Sequence, residues 1–331
     1  MSSVGVIANP ASGRDIRRLV AHASVFGNNE KVNILQRVLL ALDTLGIDRV
    51  SIMPDSYGLG LRALDGLKLR SLRAEIVEMP VTGTDRDSTE AATLLSSRGV
   101  DCIVVLGGDG TNRVVAKGCE DTPIVPISTG TNNVFPTMIE GTVAGIAAGL
   151  VATRAVDLDE VTYRAKRLEL FLEGELVDIA LVDVVTSSDL WVGSRAIWNP
   201  GRMREAVLAR AEPGSIGVSS VGSCLRPLGC RDGRGMYLAL GPGGTQLLVP
   251  MAPGLLTRVA VREHRVLSTG ESVVLDPRAS TVALDGEREI ELYGQHTITV
   301  RLTMNGPRVV DFARCMELAA RSGVFHRLGA L

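Results

Sequence analysis

Asp109 lies in the stretch CIVVLGGDGTNR, residues 102–113, and its neighbours make its carboxylate chemically interesting. Ile103, Val104, Val105 and Leu106 read as a buried parallel strand over 102–106, because three of the four are β-branched. Gly107, Gly108 and Gly110 then permit a tight turn. Their missing Cβ atoms let a ligand's phosphates approach the main-chain N–H groups. A carboxylate on such a turn repels a phosphate unless it has work of its own. That work is holding a magnesium ion, orienting the ion's water, or taking the proton of an attacking hydroxyl. Asp109 could also simply cap the helix that the pattern predicts from Thr111 to residue 119.

Two more segments of small, donor-rich residues follow apolar strands. Asn9, Ser12 and Gly13 come after a strand at 4–8, and Ser128 to Phe135, with Thr131 and Asn132, come after one at 124–127. An ordinary Asn-Pro turn, or asparagines bonding their own backbone, would account for either segment alone. Helical patterns lie between the strands: 32–45 ending at Gly46 after a loop at 28–33, 57–64, 88–98 before Gly99, and 142–152. Strands alternating with helices imply an open parallel sheet, since parallel neighbours need crossover connections. Ligands of such sheets sit beyond the carboxyl ends of the strands, which puts all three segments on one rim and favours phosphate binding there.

From Val156 the pattern changes to short alternating strands: 167–172, 176–185 after a Glu173-Gly174 turn, 236–240, 246–249, 258–261, 273–275, 281–284, 289–292 and 297–302. This predicts an all-β region of antiparallel sheets in two layers. A helix is expected at 196–212, and an amphipathic one at 310–321 that returns to the first domain.

Composition narrows the function. With 35 Lys+Arg against 37 Asp+Glu and 3% aromatics, the chain lacks both the basic excess and the stacking surfaces of a nucleic-acid binder. The five cysteines form no CxxC and the four histidines stand apart, so no metal cage is expected and the thiols read as free in a reducing cytoplasm. The longest apolar helical run, 143–152, is too short to span a bilayer, which predicts a cytoplasmic protein with no membrane partner.

GGDGTNR in this setting resembles the GGDG motif shared by NAD kinases, diacylglycerol kinases and sphingosine kinases. Asn9-Pro10-Ala11-Ser12-Gly13, Ser128-Thr129-Gly130-Thr131-Asn132-Asn133 and Leu284-Asp285-Gly286-Glu287 fall in the order that superfamily uses. The resemblance spans nearly the whole chain and looks closest to the ATP-NAD kinase-like branch found with acetoin catabolism genes. It implies an NAD kinase-like α/β fold: an open, mostly parallel sheet domain over 1–153 with 306–331, followed by an all-β, two-layer acceptor domain over 154–305.

It also implies ATP with Mg2+ as donor, Asp109 as general base, small nucleotide ligands and a homo-oligomer. Donor contacts carry over to Asn9, Ser12, Gly13, Gly107, Gly108, Gly110, Thr111, Thr131 and Asn132. Acceptor contacts carry over to Asp183, Gly243, Gly244 and Thr245. There the match weakens: Val182-Asp183 keeps the acid but lacks the asparagine before it, and residues 241–247 keep the glycine-rich turn but lack a tyrosine. A dinucleotide would lose an amide donor and a stacking ring. A kinase of another small metabolite or lipid, and a nucleotide-binding regulator without turnover, stay open beside the NAD kinase-like reading.

Overall fold

All six residues of β4 (Cys102–Gly107) are buried, because the strand lies mid-sheet with helices on both faces. The computed structural model describes residues 1–13, 26–130, 132–187, 200–286, 288–292 and 295–328. β1 (Ser3–Ala8), β2 (Arg49–Ile52), β3 (Arg73–Ile76), β4 and β5 (Ile124–Ser128) pair in parallel in the order β3-β2-β1-β4-β5. Successive β4 side chains alternate between two cores. Val104 and Leu106 join the core under α1 (Asn28–Thr44), while Ile103 and Val105 join a second one. α2 (Leu59–Leu64), α3 (Arg86–Ser97), α4 (Asp109–Val115) and α5 (Gly141–Ala152) complete the crossovers; Ala91, Ala92 and Leu95 of α3 fill the second core.

α5 packs closely on α1 through a face of Gly141, Gly145 and Gly149. A Cβ at Gly145 would lie 2.8 Å from the Val38 carbonyl oxygen, and one at Gly149 2.5 Å from Leu45 Cδ1. The four-residue spacing puts the three glycines on one side of the helix. Glu140 caps α5 by accepting from Thr142 N at 2.7 Å. α1 starts at Asn28 rather than after the loop expected at 28–33. Its polar first turn faces the loop after β1, where Lys31 finds carbonyl partners, so polarity there does not mean absence of helix.

After α6 (Leu158–Val161), β6 (Thr162–Arg164) and the late strand β17 (Arg308–Val310) extend the first sheet, with β17 parallel to β5 and antiparallel to β6. Between them the chain builds two antiparallel sheets. One orders β12 (Leu255–Ser268), β11 (Arg234–Ala252), β10 (Met203–Leu208), β9 (Asp183–Ser187), β14 (Thr281–Leu284) and β15 (Arg288–Glu291). The other orders β13 (Ser272–Leu275), β16 (Ile298–Thr303), β7 (Arg167–Leu172) and β8 (Glu175–Ala180). The two share a core to which Leu168, Val300, Val184 and Leu284 contribute. α7 (Val218–Leu225) covers the other face of the larger sheet, and Cys315 and Ala319 of α8 (Phe312–Arg321) join the core beneath α5.

The helix expected over 196–212 is contradicted. Residues 203–208 form β10, hydrogen-bonded between β9 and β11; 196–199 lie outside the described residues. Met, Arg, Glu, Ala and Leu favour helices, but two flanking strands override that preference. The strand expected over 176–185 breaks at Leu181 and Val182, and the two runs expected at 236–240 and 246–249 belong to one long strand, β11, bulged between Leu240 and Thr245.

Candidate active site

Three loops meet beyond the carboxyl ends of β1, β4 and β5. Asn9 Nδ2 donates to Thr111 Oγ1 at 2.9 Å, the Ser12 and Thr129 hydroxyls are 2.9 Å apart, and Thr129 N donates to Gly107 O at 3.3 Å. Gly13 has φ +75°, and a Cβ there would lie 2.8 Å from the Thr129 carbonyl oxygen, so glycine is required twice over. A Cβ on Gly107 would meet Thr111 at 2.4 Å, and one on Gly108 would meet Asn133 Oδ1 at 2.8 Å. Gly110 lies buried in the first turn of α4. Thr131 lies outside the described residues.

Lys31, from α1, anchors the first of these loops. Its ammonium donates to the carbonyls of Asn9 at 2.9 Å, Pro10 at 3.0 Å and Ser12 at 2.7 Å, while the residue is 1% exposed. A buried charge is tolerated where it is hydrogen-bonded this fully.

Asp109 is the first residue of α4 and does not cap it; the cap position is Gly108. Its carboxylate instead accepts the N–H groups of Val134, at 3.0 Å, and Phe135, at 2.7 Å, which fastens the helix to the loop after β5. Asn133 bonds within that loop, to Ser128 Oγ and Gly130 O, while Asn132 points to a cleft.

That cleft, with a cavity volume of about 30 Å³, joins the two halves of the molecule. Asp109, Asn132 and Val134 line one side. The other side comes from the larger antiparallel sheet and the start of α7. β9 and β14 pair with Val185 opposite Ala283, and the two-residue period turns Asp183 and Val185, with Ala283 and Asp285, to the cleft. Gly243, Gly244 and Thr245 are not among the lining residues. They lie on the β11 bulge, where Thr245 pairs with Val261, while Met251, further along the same strand, does reach the cleft.

Asp285 holds the acceptor side in shape. It occupies the left-handed region at φ +53°, which Asp tolerates better than most residues, and its carboxylate collects the N–H groups of Leu181, Val182 and Asp183. Those bonds explain the break between β8 and β9. Burial pushes the Asp285 carboxyl above its ordinary range, against the opposing pull of Arg113 and the three N–H groups. Arg113 of α4, 3% exposed, reaches Asp178 at 3.0 Å and comes within 3.9 Å of Asp285. Burial raises the Asp178 carboxyl too, but Arg113 and Lys117 more than reverse this and hold it low. Behind the Asp109 clamp, the Arg210 guanidinium lies 4.5 Å from the Phe135 ring centroid.

Lys31, Asp178 and Arg210 carry no local signal, and Arg113 stands out only as the last residue of GGDGTNR. A lysine or arginine in an amphipathic helix looks like a solvent-facing residue until its partners are in place. Asp285 was legible only as part of the Leu284-Asp285-Gly286-Glu287 segment.

Two parallel-sheet and antiparallel-sheet halves around a Gly-Gly-Asp-Gly corner define an NAD kinase-like protein, and residues 4–155 match the ATP-NAD kinase N-terminal domain. Residues 166–305 match the acetoin catabolism protein X C-terminal domain. The chain is 38% identical to acetoin catabolism protein X of Cupriavidus necator over 338 aligned residues, 98% of this chain and 94% of that protein. It belongs to the acetoin catabolism protein X family. A solved structure titled a putative diacylglycerol kinase from Bacillus anthracis str. Sterne aligns with 93% of this chain and 98% of its own, at 14% identity and a TM-score of 0.45.

Proposed function

We propose that this protein is a phosphotransferase that passes the terminal phosphoryl group of ATP to a hydroxyl in the cleft between Asp109 and Asp183. The observation that carries the reading is the convergence of three loops, 9–13, 107–111 and 128–135, beside a carboxylate that lines the cleft. Phosphoryl transfer asks a protein chiefly for positioning and charge stabilisation. Residues 1–153 with 306–331 form the donor half, where Asn9, Ser12, Gly13, Gly107, Gly108, Gly110, Thr111 and Asn132 surround the nucleotide. Residues 154–305 form the acceptor half, where Asp183 meets the acceptor. Asp109 accepts the hydroxyl proton as the new O–P bond forms and ADP leaves.

Among the described residues no group of three or more His, Cys, Asp or Glu is gathered to hold a metal. Magnesium would therefore arrive with the nucleotide's phosphates, where it neutralises charge. No helix among the described residues is long and apolar enough to cross a membrane, which supports a cytoplasmic small-molecule reaction. The relative's name links that reaction to acetoin catabolism.

One observation favours a second reading, a nucleotide-binding regulator: the Asp109 carboxylate is already engaged by two main-chain N–H groups. Phosphate transfer from ATP with magnesium, compared between the native chain and Asp109→Asn, separates the two. The phosphotransferase reading expects a loss of roughly 10²- to 10⁴-fold in kcat with ATP binding retained. An unchanged rate removes Asp109 from the mechanism, and ATP binding with no transfer in the native chain supports the regulator.

A further inference from the structure

Two buried arginines cross the junction between the parallel-sheet half of the molecule and the antiparallel half, one from each side, and both bear on Asp109. Arg113 lies one turn after Asp109 in α4, on the same face of the helix. Its Nη1 donates to Asp178 on β8, in the smaller antiparallel sheet, at 3.0 Å. Its Nε, which has no hydrogen-bond partner, comes within 3.9 Å of Asp285 at the end of β14, in the larger sheet. One guanidinium thus ties the helix to both sheets. Lys117, just past the helix, gives Asp178 a second cation at 2.6 Å.

Arg210 makes the reverse crossing. It follows β10 and is buried, its guanidinium lies 4.5 Å from the Phe135 ring centroid, and its Nη2 donates to the Tyr163 hydroxyl on β6 at 3.4 Å. Phe135 is the residue whose N–H Asp109 holds at 2.7 Å. Asp109 is therefore secured along its helix by Arg113 and through its loop partner by Arg210.

The Asp285 carboxylate carries the connection to the far wall of the cleft. It accepts the N–H groups of Leu181, Val182 and Asp183, so a shift of Arg113 against Asp285 is also a shift of α4 against the backbone that bears Asp183. Arg113 and Asp285 are both buried. Burying ions is a poor route to stability, because apolar side chains of the same volume often do as well or better. What a planar guanidinium supplies and they do not is direction. Phosphoryl transfer needs direction, since an error of about 1 Å in placing the reacting groups can cost roughly 10²-fold in rate.

Resting on the phosphotransferase reading, we infer that Arg113 is a positioning residue: through Asp178 and Asp285 it sets Asp109 against the wall that carries Asp183. It is not among the residues that line the cleft, so it acts through those that do.

The test crosses Arg113→Lys with Asp109→Asn in the full chain, each alone and both together. Turnover of ATP with magnesium is followed with water, glycerol and NAD as phosphoryl acceptors. ATP affinity is measured by calorimetry, and urea unfolding checks that each variant is folded under the assay conditions. Arg113→Lys should lower kcat by about tenfold or more, while KM and the affinity for ATP stay within about twofold. With Asp109→Asn already present, the same substitution should change the residual rate by less than about twofold, because a residue that acts through Asp109 then has nothing left to place. Asp178→Asn keeps an acceptor for Nη1 and removes its charge; it should act in the same direction to a smaller extent, and it decides the matter if Arg113→Lys does not fold. An unchanged kcat, a loss of ATP affinity as large as the loss of kcat, or a full loss that persists beside Asp109→Asn each overturns the inference and leaves the phosphotransferase reading standing. A native chain that passes phosphate from ATP to none of the three acceptors removes that reading and the inference with it.

Discussion

Arg113 Nη1 donates to Asp178 Oδ2 at 3.0 Å, and this bond ties the helix that begins with Asp109 to the strand that leads into Asp183. The two side chains are 4% and 10% exposed, so the pair is nearly dry. Removing Arg113 leaves Asp178 only Lys117, 2.6 Å away, and takes from the buried Asp285 the guanidinium beside it. Arg113→Met should therefore cost about 3 kcal/mol in urea unfolding. Arg113→Lys keeps the charge but cannot fork toward Asp178 and Asp285 together, and should fall between the two.

Lys31 gives a second prediction at the donor loop. Three carbonyls, from Asn9, Pro10 and Ser12, converge on its ammonium, which turns them inward from the loop. Lys31→Met strands those oxygens and should destabilise the chain by about 3 kcal/mol. Because the same loop reaches Thr111 and Thr129, ATP affinity measured by calorimetry should fall with it.

A third prediction concerns pH. Lys166 is fully buried, donates to the carbonyls of Gly229 and Arg234, and has its pKa drawn from 10.5 to about 8, first by burial and next by the Arg210 charge. Between those values the unfolded chain holds the proton that the folded chain has released. This group's contribution to stability therefore rises with pH across the window, while below it the folded state bears the full cost of a buried cation. Measured against Lys166→Met, the native chain should gain on the order of 2 kcal/mol in unfolding free energy between about pH 7.5 and about pH 10. A difference that stays flat with pH would refute this.

The elements whose own residues dictate them were legible in the sequence. β4 and its glycine corner, and α5 as an apolar helical run, announce themselves in their own residues, and the rim rule brought Asn9, Ser12 and Gly108 to one place. What escaped depends on partners distant in the chain. β10 is a strand because β9 and β11 flank it, against its own helical preference. The two aspartates, Asp183 and Asp285, share one corner only because β14 returns beside β9. The glycine-rich run at 241–247 looked like a binding turn, and it is a bulge in a long hairpin because its neighbours continue pairing on both sides.

Chain order has a consequence for how the first sheet is completed. β5 gains its outer neighbour only when residues 308–310 pair beside it, and β6, though synthesised far earlier, must wait for that same strand. During synthesis the nascent N-terminal half thus carries a parallel edge that Thr137 covers only at its carboxyl end, beside Pro126 and Ser128, until almost the entire polypeptide has emerged, and the open part invites pairing with a stranger. Chains cut short before Arg308 would keep that edge permanently, so premature termination late in translation should yield aggregates rather than a smaller working protein.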